Sequence, residues 1–542
     1  MQLTDEQEAI CSTEANTLLV TAFAGCGKTS VLAEYAKRRP REQFLYLAFN
    51  KAIKQEAETK FPGNVKCLTT HGLAYSGFGR HYTHKLGNPK PYQLAKALEI
   101  DLVSAGVVLD VVNAYFTSTD NDIVPYHARR VRIEEQHVGR VVDYAKKAWD
   151  MMQDRGNTGV SMPHDGYLKL FQLSRPTIRK GCILLDEAQD SNQLIYAIVK
   201  QQDCRKILVG DPYQGIYGFR GAVNAMEDFK HIADEQMFLT ASFRFGAGLA
   251  SLATMLLKDW RGEKRPLRGM GAAITQWGIN ADAPHTVISR SNSALFSEAV
   301  SHVLAGRPFA YLGGVENYRM SSILDAFYLS NRTLGLIKDR FFQAFKDWEE
   351  FRRYAESLED RESISLIKIV DTYGSAIPGL VERIRKETMS VITGKEIILT
   401  TAHKAKGLEW EHVRLLDDYA ELAVGKDKKT GKPEYPDQEE INLHYVAMTR
   451  ALKGLQVGDK VIDWLREFDH RQLLFPILSG FKRDYARPAL PQQEPVTEDE
   501  IARVNVPDIV KRLRSGEQLS KKDANIVASI IESWCVLEDE RV

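Results

Sequence analysis

The segment LLVTAFAGCGKTS, residues 18–30, decides the fold class of this chain of 542 residues. Residues 18–21 have the apolar composition of a buried strand, and the segment after Thr29 has helical spacing. A strand, a glycine-rich turn, Gly-Lys-Thr and a helix are the context that a phosphate-binding loop requires. Small residues allow the backbone N–H groups to surround phosphates, and the helix N-terminus adds positive potential.

This loop assigns roles to particular residues. Lys28 is predicted to reach the β- and γ-phosphates, and Thr29 to bind Mg²⁺. The backbone that would surround the phosphates belongs to Ala24, Gly25, Cys26 and Gly27. Because Cys26 lies beside Lys28 and a helix N-terminus, its thiol pKa is expected to be lowered, so that alkylation would block ATP binding. The alternative, which we favour, is that Cys26 only replaces another small residue.

A second apolar strand, residues 183–185, ends in the acidic pair Asp186 and Glu187. Acidic residues at the carboxyl end of a strand lie where open α/β sheets bind ligands. Asp186 is predicted to position Mg²⁺, and Glu187 to orient and deprotonate the attacking water. Acidic pairs also end strands as solvated termini, but the phosphate-binding loop upstream favours the catalytic interpretation.

The composition indicates the cellular compartment of the protein but says little about its binding partner. Lys and Arg together number 72, as do Asp and Glu, so net charge gives no sign of nucleic acid, although a neutral molecule can carry a basic groove. The N-terminus has no signal-peptide pattern, and no apolar run approaches the length of a membrane span. We expect a monomer without membrane contact, cytoplasmic, or nuclear if the source is eukaryotic. Six scattered cysteines without a Cys-x-x-Cys pair indicate a reducing compartment and neither zinc nor disulfides: Cys11, Cys26, Cys67, Cys182, Cys204 and Cys535.

A third strand, residues 207–210, leads into DPYQGIYGFRGA at 211–222. This run resembles motif III of the UvrD/Rep/PcrA helicases of superfamily 1, and other segments resemble that family's motifs in the family's order. They are residues 3–7 (Q motif), 48–52 (Ia), 69–74 (Ib), 239–244 (IV), 401–410 (V) and 444–451 (VI). The sequences of motifs Ia, Ib and IV are most similar to those in the motor of the F-box DNA helicase branch, although no F-box segment precedes Gln7.

The resemblance implies further nucleotide contacts. Gln7 would read the adenine edge, Phe243 would stack on adenine, and Ser30 stands at the neighbouring position where an arginine is common. Gly407 and Glu409 of motif V would also touch the nucleotide. The implied catalytic residues are Glu187 as base, Gln214 as γ-phosphate sensor, and Arg244 and Arg450 as arginines supplied to the phosphates.

The resemblance also implies a DNA-facing set. These residues are Phe49, Asn50, Thr70, His71, Tyr217, Phe219, Arg220, Thr401 and His403. An aromatic ring such as Phe219 stacks on any base, which suits movement along a strand. The alternative for Phe219 is a place in the core.

The expected fold class is α/β, with two RecA-like P-loop domains (1A and 2A), helical insertions (1B and 2B) and a small helical C-terminal appendage. The predicted ranges are 1–75 and 166–240 for 1A, 76–165 for 1B, 241–304 and 391–480 for 2A, 305–390 for 2B, 481–496 for a linker and 497–542 for the appendage. The basic cluster at 129–132 is read either as part of a DNA path or as a charged surface. The appendage is read either as a partner-docking element or as a helical cap on the motor.

The predicted function is an ATP-dependent DNA helicase or translocase moving 3′→5′ on single-stranded DNA, with ATP and Mg²⁺ as cofactors. Its partners would be single-stranded DNA and single-strand/duplex junctions, and a protein bound through 2B or the appendage. Two alternatives stay open: a translocase that strips proteins without unwinding, and a nucleotide-gated subunit that recruits a nuclease or recombinase.

Overall fold

The computed structural model describes residues 3–131, 133–218, 225–426 and 433–480. Its first sheet has six parallel strands in the order β3-β2-β4-β5-β1-β6. These strands are β1 (Thr17–Ala22), β2 (Phe44–Ala48), β3 (Val65–Thr69), β4 (Cys182–Leu185), β5 (Arg205–Gly210) and β6 (Glu235–Leu239). Strands β2 and β4 are buried along their whole length, as expected where helices cover both faces of a parallel sheet.

The second sheet also has six parallel strands, in the order β9-β10-β8-β11-β12-β7. They are β7 (Gln276–Trp277), β8 (Thr286–Ser289), β9 (Phe309–Tyr311), β10 (Ile397–Thr401), β11 (Trp410–Leu415) and β12 (Ala451–Gln456). Two short ladders pair Ala241–Ser242 with Arg268–Gly269, and Gly425–Lys426 with Pro433–Glu434. We call the parts of the chain built on the two sheets the first and second domains.

Helices precede, connect and follow these strands. Those of the first half are α1 (Asp5–Ser12), α2 (Lys28–Lys37), α3 (Lys51–Lys60), α4 (Thr70–Tyr75), α5 (Pro91–Leu98), α6 (Leu102–Phe116), α7 (Pro125–Arg130), α8 (Glu135–Gln153), α9 (His164–Leu173), α10 (Gln193–Lys200) and α11 (Ala225–Phe229). Those of the second half are α12 (Ala247–Arg261), α13 (Asn292–Ala305), α14 (Met320–Ser330), α15 (Arg340–Gln343), α16 (Trp348–Ser357), α17 (Arg361–Tyr373), α18 (Ile377–Glu387), α19 (Ala402–Ala405), α20 (Gln438–Met448), α21 (Asp459–Glu467) and α22 (Arg471–Gly480).

Each domain carries a run of helices between two of its strands. Helices α5–α9 lie between β3 and β4, and their core includes Phe116 in edge-to-face contact with Trp149. Helices α14–α18 lie between β9 and β10, with an aromatic core around Phe351. The α/β class is therefore confirmed. The ranges given to 1A, 1B, 2A and 2B stay predictions, and the predicted linker and appendage lie outside the described residues.

The prediction that no apolar run approaches the length of a membrane span needs correction for one stretch. By length and composition alone, Arg361–Glu387 is long and apolar enough to cross a bilayer. This stretch consists of α17 and α18, which meet at the turn Gly374–Ala376. Some of its apolar side chains, among them Val370 and Ile384, are buried in the core formed by α14–α18, whereas Ile364 is 43% exposed. Core helices pass the same test, so the stretch is weak evidence for a membrane span.

Candidate nucleotide and DNA-binding site

The phosphate-binding loop has the backbone that its sequence predicts. Gly25 and Gly27 have φ angles of +76° and +74°, in the left-handed region that favours glycine. A Cβ on Gly25 would lie 2.5 Å from Ser242 Oγ and 2.6 Å from Arg244 Cβ, so this position also requires the absence of a side chain. Gly27 precedes α2, whose first turn holds Lys28, Thr29 and Ser30.

The Asp-Glu pair after β4 lies against this loop. Lys28 Nζ donates to Glu187 Oε2 at 2.8 Å, and Thr29 Oγ1 donates to Asp186 Oδ2 at 2.9 Å. Tyr46 Oη donates to the same Asp186 oxygen at 2.7 Å. The two segments, 157 and 159 residues apart in sequence, thus form one site.

The surroundings of the pair shift the pKa values of its two carboxyl groups in opposite directions. Burial and the neighbouring Glu187 raise the pKa of Asp186. Burial also acts to raise the pKa of Glu187, but Lys28 and Lys406 outweigh it and lower that pKa to about 2. Glu187 is therefore ionised at neutral pH, the state that a general base requires. It also has a φ of +50°, a left-handed conformation for a residue with a side chain.

Residues of the second domain complete the site. Arg450 is 1% exposed, and its Nη2 donates to Gln214 Oε1 at 3.3 Å. Gln214 in turn donates to Asp211 Oδ2 at 2.7 Å. Burial and the nearby Arg244 lower the pKa of Arg450 to about 9, so its guanidinium remains charged at neutral pH. The predicted sensor and the predicted second arginine are thus in direct contact.

Arg244 lies at the same junction. Its Nε donates to Glu409 Oε2 at 2.7 Å, and its Nη1 donates to the carbonyl of Thr449 at 3.1 Å. Because the Arg244 Cβ lies so near Gly25, this side chain joins the phosphate-binding loop to motifs V and VI.

The predicted adenine contacts have different surroundings. Gln7 is 1% exposed; its Oε1 accepts from Thr4 N in the cap of α1, and its Nε2 donates to the Cys26 carbonyl at 3.4 Å. Phe243 is 41% exposed, and its N–H donates to the Gly25 carbonyl at 2.9 Å. Gly407 has a φ of +85° in the turn before Glu409. Recognition of adenine by Gln7 and Phe243 stays a prediction.

The expected reactivity of Cys26 is wrong. Its thiol is 1% exposed, and burial, with a smaller contribution from Asp211, raises its pKa. A buried thiol in this environment is protonated and inaccessible to alkylating reagents. The alternative, that Cys26 only fills a position for a small residue, fits the structure.

Three predicted DNA-facing segments meet at one place. The rings of Phe49 and Tyr217 are stacked, with centroids 5.3 Å apart and planes at 16°. Tyr217 Oη donates to the carbonyl of His403 at 3.3 Å, and Lys406 Nζ lies 5.0 Å from the centre of the Tyr217 ring. Motifs Ia, III and V therefore share a cluster of aromatic and basic groups.

Four other predicted DNA contacts, Asn50, Thr70, His71 and Thr401, have side chains that are hydrogen-bonded elsewhere or buried. Asn50 accepts from Ile53 N at 2.9 Å and so caps α3. His71 Nε2 pairs with Asp165 Oδ1 at 2.9 Å. The side chains of Thr70 and Thr401 are buried. Phe219 and Arg220 lie outside the described residues, so the stacking role of Phe219 stays a prediction.

Sequence reasoning assigned no role to several residues that hold this site together. Lys406 Nζ pairs with Asp190 and also donates to the Gln214 carbonyl. Tyr445 Oη donates to Asp211 Oδ2 at 3.1 Å and accepts from Ala24 N–H at 3.1 Å. The sequence pointed to these residues, because Asp190 follows the Asp-Glu pair by three residues, and Lys406 and Tyr445 stand inside motifs V and VI.

Two family models match the chain. A model described as an AAA domain matches residues 6–220, which hold the phosphate-binding loop, the Asp-Glu pair and Gln214. A model described as the UvrD-like helicase C-terminal domain matches residues 338–458, which hold Lys406 and Arg450. The chain belongs to the UvrD-like helicase family. The predicted fold of two RecA-like domains is confirmed with it.

Among curated proteins, the chain is similar to two F-box DNA helicases. F-box DNA helicase 1 of Gallus gallus is 31% identical over 505 residues, which are 85% of this chain and 49% of that protein. F-box DNA helicase protein 1 of Schizosaccharomyces pombe is 31% identical over 515 residues, 85% of this chain and 58% of that protein. The predicted likeness to the motor of the F-box branch is confirmed. The chain spans about half the length of these relatives.

A more distant similarity reaches bacterial proteins. ATP-dependent DNA helicase UvrD1 of Mycobacterium tuberculosis (strain ATCC 25618 / H37Rv) is 26% identical over 210 residues, 36% of this chain and 26% of that protein.

Proposed function

We propose that this chain is an ATP-dependent DNA helicase that moves 3′→5′ along single-stranded DNA and separates duplexes at junctions. The names of the relatives, F-box DNA helicase and ATP-dependent DNA helicase, support ATP and DNA as its ligands. Of the two expected locations, the eukaryotic sources of the two F-box relatives favour the nuclear one.

One observation carries the proposal: groups from both domains meet at the phosphate-binding loop. Arg450 and Tyr445 of the second domain contact Gln214, Asp211 and Ala24 of the first. Arginines that stabilise the transition state are worth about 10³–10⁵ in rate, and only while they are in place. Hydrolysis would therefore require the two domains to be closed, and this ties chemistry to movement.

The residues around the loop fit ATP with Mg²⁺. Mg²⁺ is usually bound by one or two carboxylates together with phosphates, and Asp186 and Thr29 already converge at 2.9 Å. The ion would neutralise charge that develops on the phosphates. Glu187, ionised and held by Lys28, would take the proton from water, and Gln189 Nε2 at 2.7 Å would keep its carboxylate oriented.

The connection to DNA runs through the stacked rings. Tyr217 follows the γ-phosphate sensor Gln214 by three residues and stacks on Phe49. An aromatic platform holds bases without reading their sequence, at about 1–3 kcal/mol per base. Lys406 touches both ends of this short segment, through the Gln214 carbonyl and the Tyr217 ring. A change at the phosphates would thus move the platform.

Strand displacement on tailed duplexes tests the proposal. The purified chain is given ATP and Mg²⁺ with the same duplex carrying a 3′ or a 5′ single-stranded tail, and Glu187→Gln serves as the inactive control. We expect displacement of the 3′-tailed duplex only. A preference for the 5′ tail contradicts the direction.

The alternatives give other outcomes. Release of streptavidin from a biotinylated single strand, without displacement of either duplex, indicates a translocase that strips proteins. DNA binding that depends on nucleotide, with neither release nor displacement, indicates a recruitment subunit. Both outcomes contradict the helicase proposal.

A further inference from the structure

The segment from Gln214 to Tyr217 is held by the second domain at successive points. Its first residue accepts from Lys406 through its carbonyl and from Arg450 through its side chain. The hydroxyl of Tyr217 donates to the His403 carbonyl. Between these contacts lies Gly215, whose carbonyl also has a partner from the second domain.

That partner is Asn442, on α20. Its Nδ2 donates to the Gly215 carbonyl at 2.8 Å, across 227 residues of sequence. Asn442 is 5% exposed, so water has little access to its amide, whereas Gly215 is partly exposed. A hydrogen bond between neutral groups is short-ranged and directional, so it persists only while α20 and Gly215 keep this distance.

A second contact fixes which way the amide of Asn442 faces. Arg261 Nη1 donates to its Oδ1 at 3.3 Å and to the Gln438 carbonyl at 3.4 Å. Arginine only donates and a backbone carbonyl only accepts, so a flipped amide would oppose both neighbours. Arg261 is itself positioned by the Tyr213 ring, 5.4 Å from its guanidinium carbon.

We propose that Asn442 is a positioning residue that couples DNA binding to ATP hydrolysis by holding the Gly215 carbonyl to α20. The same helix, α20, carries Tyr445 and leads directly to Arg450. A movement of Gly215 caused by DNA binding would therefore move α20 and, with it, the groups that α20 places at the nucleotide. The described side-chain hydrogen bonds of Asn442 go to Gly215 and Arg261, so its role would be one of positioning. The inference rests on the proposed function.

Asn442→Leu tests this role, because leucine keeps much of the volume and removes the donor. We expect ATP turnover without DNA to stay within about twofold of wild type, while stimulation by oligo(dT) falls by about 5–150-fold, the usual range of coupling between two sites. Asn292→Leu is the matched control: it lies on α13 of the second domain, its Oδ1 has no partner among the described residues, and stimulation should be retained.

The outcomes separate a coupling role from a structural one. A structural role lowers the thermal midpoint and both turnover rates together, leaving the stimulation ratio unchanged, and this overturns the inference. If Asn442→Leu does not fold, Asn442→Asp replaces it, since the carboxylate keeps Arg261 but cannot donate to Gly215; unchanged stimulation again overturns the inference. Wild type without stimulation contradicts the proposed function as well, whereas equal stimulation of wild type and variant contradicts only the inference.

Discussion

Replacing Tyr445 with phenylalanine removes one oxygen from the contact between the two domains. That oxygen donates to Asp211 Oδ2 and accepts from Ala24 N–H, both at 3.1 Å and both buried. The ring itself, which packs edge-to-face on Tyr213 with centroids 6.3 Å apart, is retained. Any effect of the substitution therefore comes from the hydroxyl group.

The size of the effect follows from what each partner keeps. Asp211 still accepts from Gln214 Nε2 and Tyr213 N. The loss of the hydrogen bond from Tyr445 should therefore cost about 1.5 kcal/mol, the low end of the range for a hydrogen bond to a charged group. The Ala24 N–H loses its acceptor, which costs about 1 kcal/mol or more. The sum, about 2–3 kcal/mol, corresponds to about 30–150-fold at 1.4 kcal/mol per factor of ten. Because the bonds cross between the domains, the closed arrangement bears this loss.

Steady-state ATP turnover with saturating oligo(dT) measures it. We expect Tyr445→Phe to lower turnover by about 30–150-fold, without weaker binding of a fluorescent ATP analogue. Binding should hold because the substitution leaves Lys28 and the other predicted phosphate contacts of the loop unchanged. Tyr311→Phe is the control, since the Tyr311 hydroxyl is buried without a partner among the described residues, and it should behave as wild type. Wild-type turnover by Tyr445→Phe would refute the argument that this hydroxyl joins the domains.

Three further predictions concern the loop, the base and pH. Glu187→Gln should still bind nucleotide yet hydrolyse ATP at least about 10²-fold more slowly, measured as phosphate release; near wild-type release would remove Glu187 from the mechanism. Gly25→Ala should abolish the increase in thermal unfolding midpoint that ATP gives the wild type. The control is Gly262→Ala, which has a φ of +63° and open space for a Cβ; it should cost only about 1–2 kcal/mol of stability and keep that increase. The same increase with ATP in both variants would contradict the steric argument. Burial lowers the pKa of His285 and of His444 to about 4, so below pH 6.5 the unfolded chain binds more protons than the folded one. The free energy of unfolding, measured by urea titration, should therefore fall between pH 6.5 and 4 by on the order of 3 kcal/mol per histidine. A free energy of unfolding that does not change over this range would contradict the prediction.

Much of the fold and of the ATP site follows from local sequence. The strand, turn and helix around Gly25, Lys28 and Thr29 are encoded by consecutive residues, and so is the acidic pair at the end of β4. Family order then located Gln214 and Arg450, which lie in contact. These features were predictable because each depends on residues close together in the chain or on a motif.

Contacts between distant segments could not be read in the same way. The pKa of Cys26 depends on its burial by the folded loop, and loop sequence alone suggested the opposite direction. Asn442 reaches Gly215 only because α20 packs against the turn after β5. The side chain of Asn50 caps a helix, a local use that competes with a role on DNA. In each case tertiary packing determined which of several chemical roles the side chain takes.

The central claim is that the ATP site is completed by the second domain and responds to DNA. ATP turnover by the purified chain with Mg²⁺, measured as oligo(dT) is added, tests this most directly. We predict low turnover without DNA and a rise of at least about tenfold at saturation, equal to about 1.4 kcal/mol of coupling or more. Turnover that is the same with and without single-stranded DNA would contradict it.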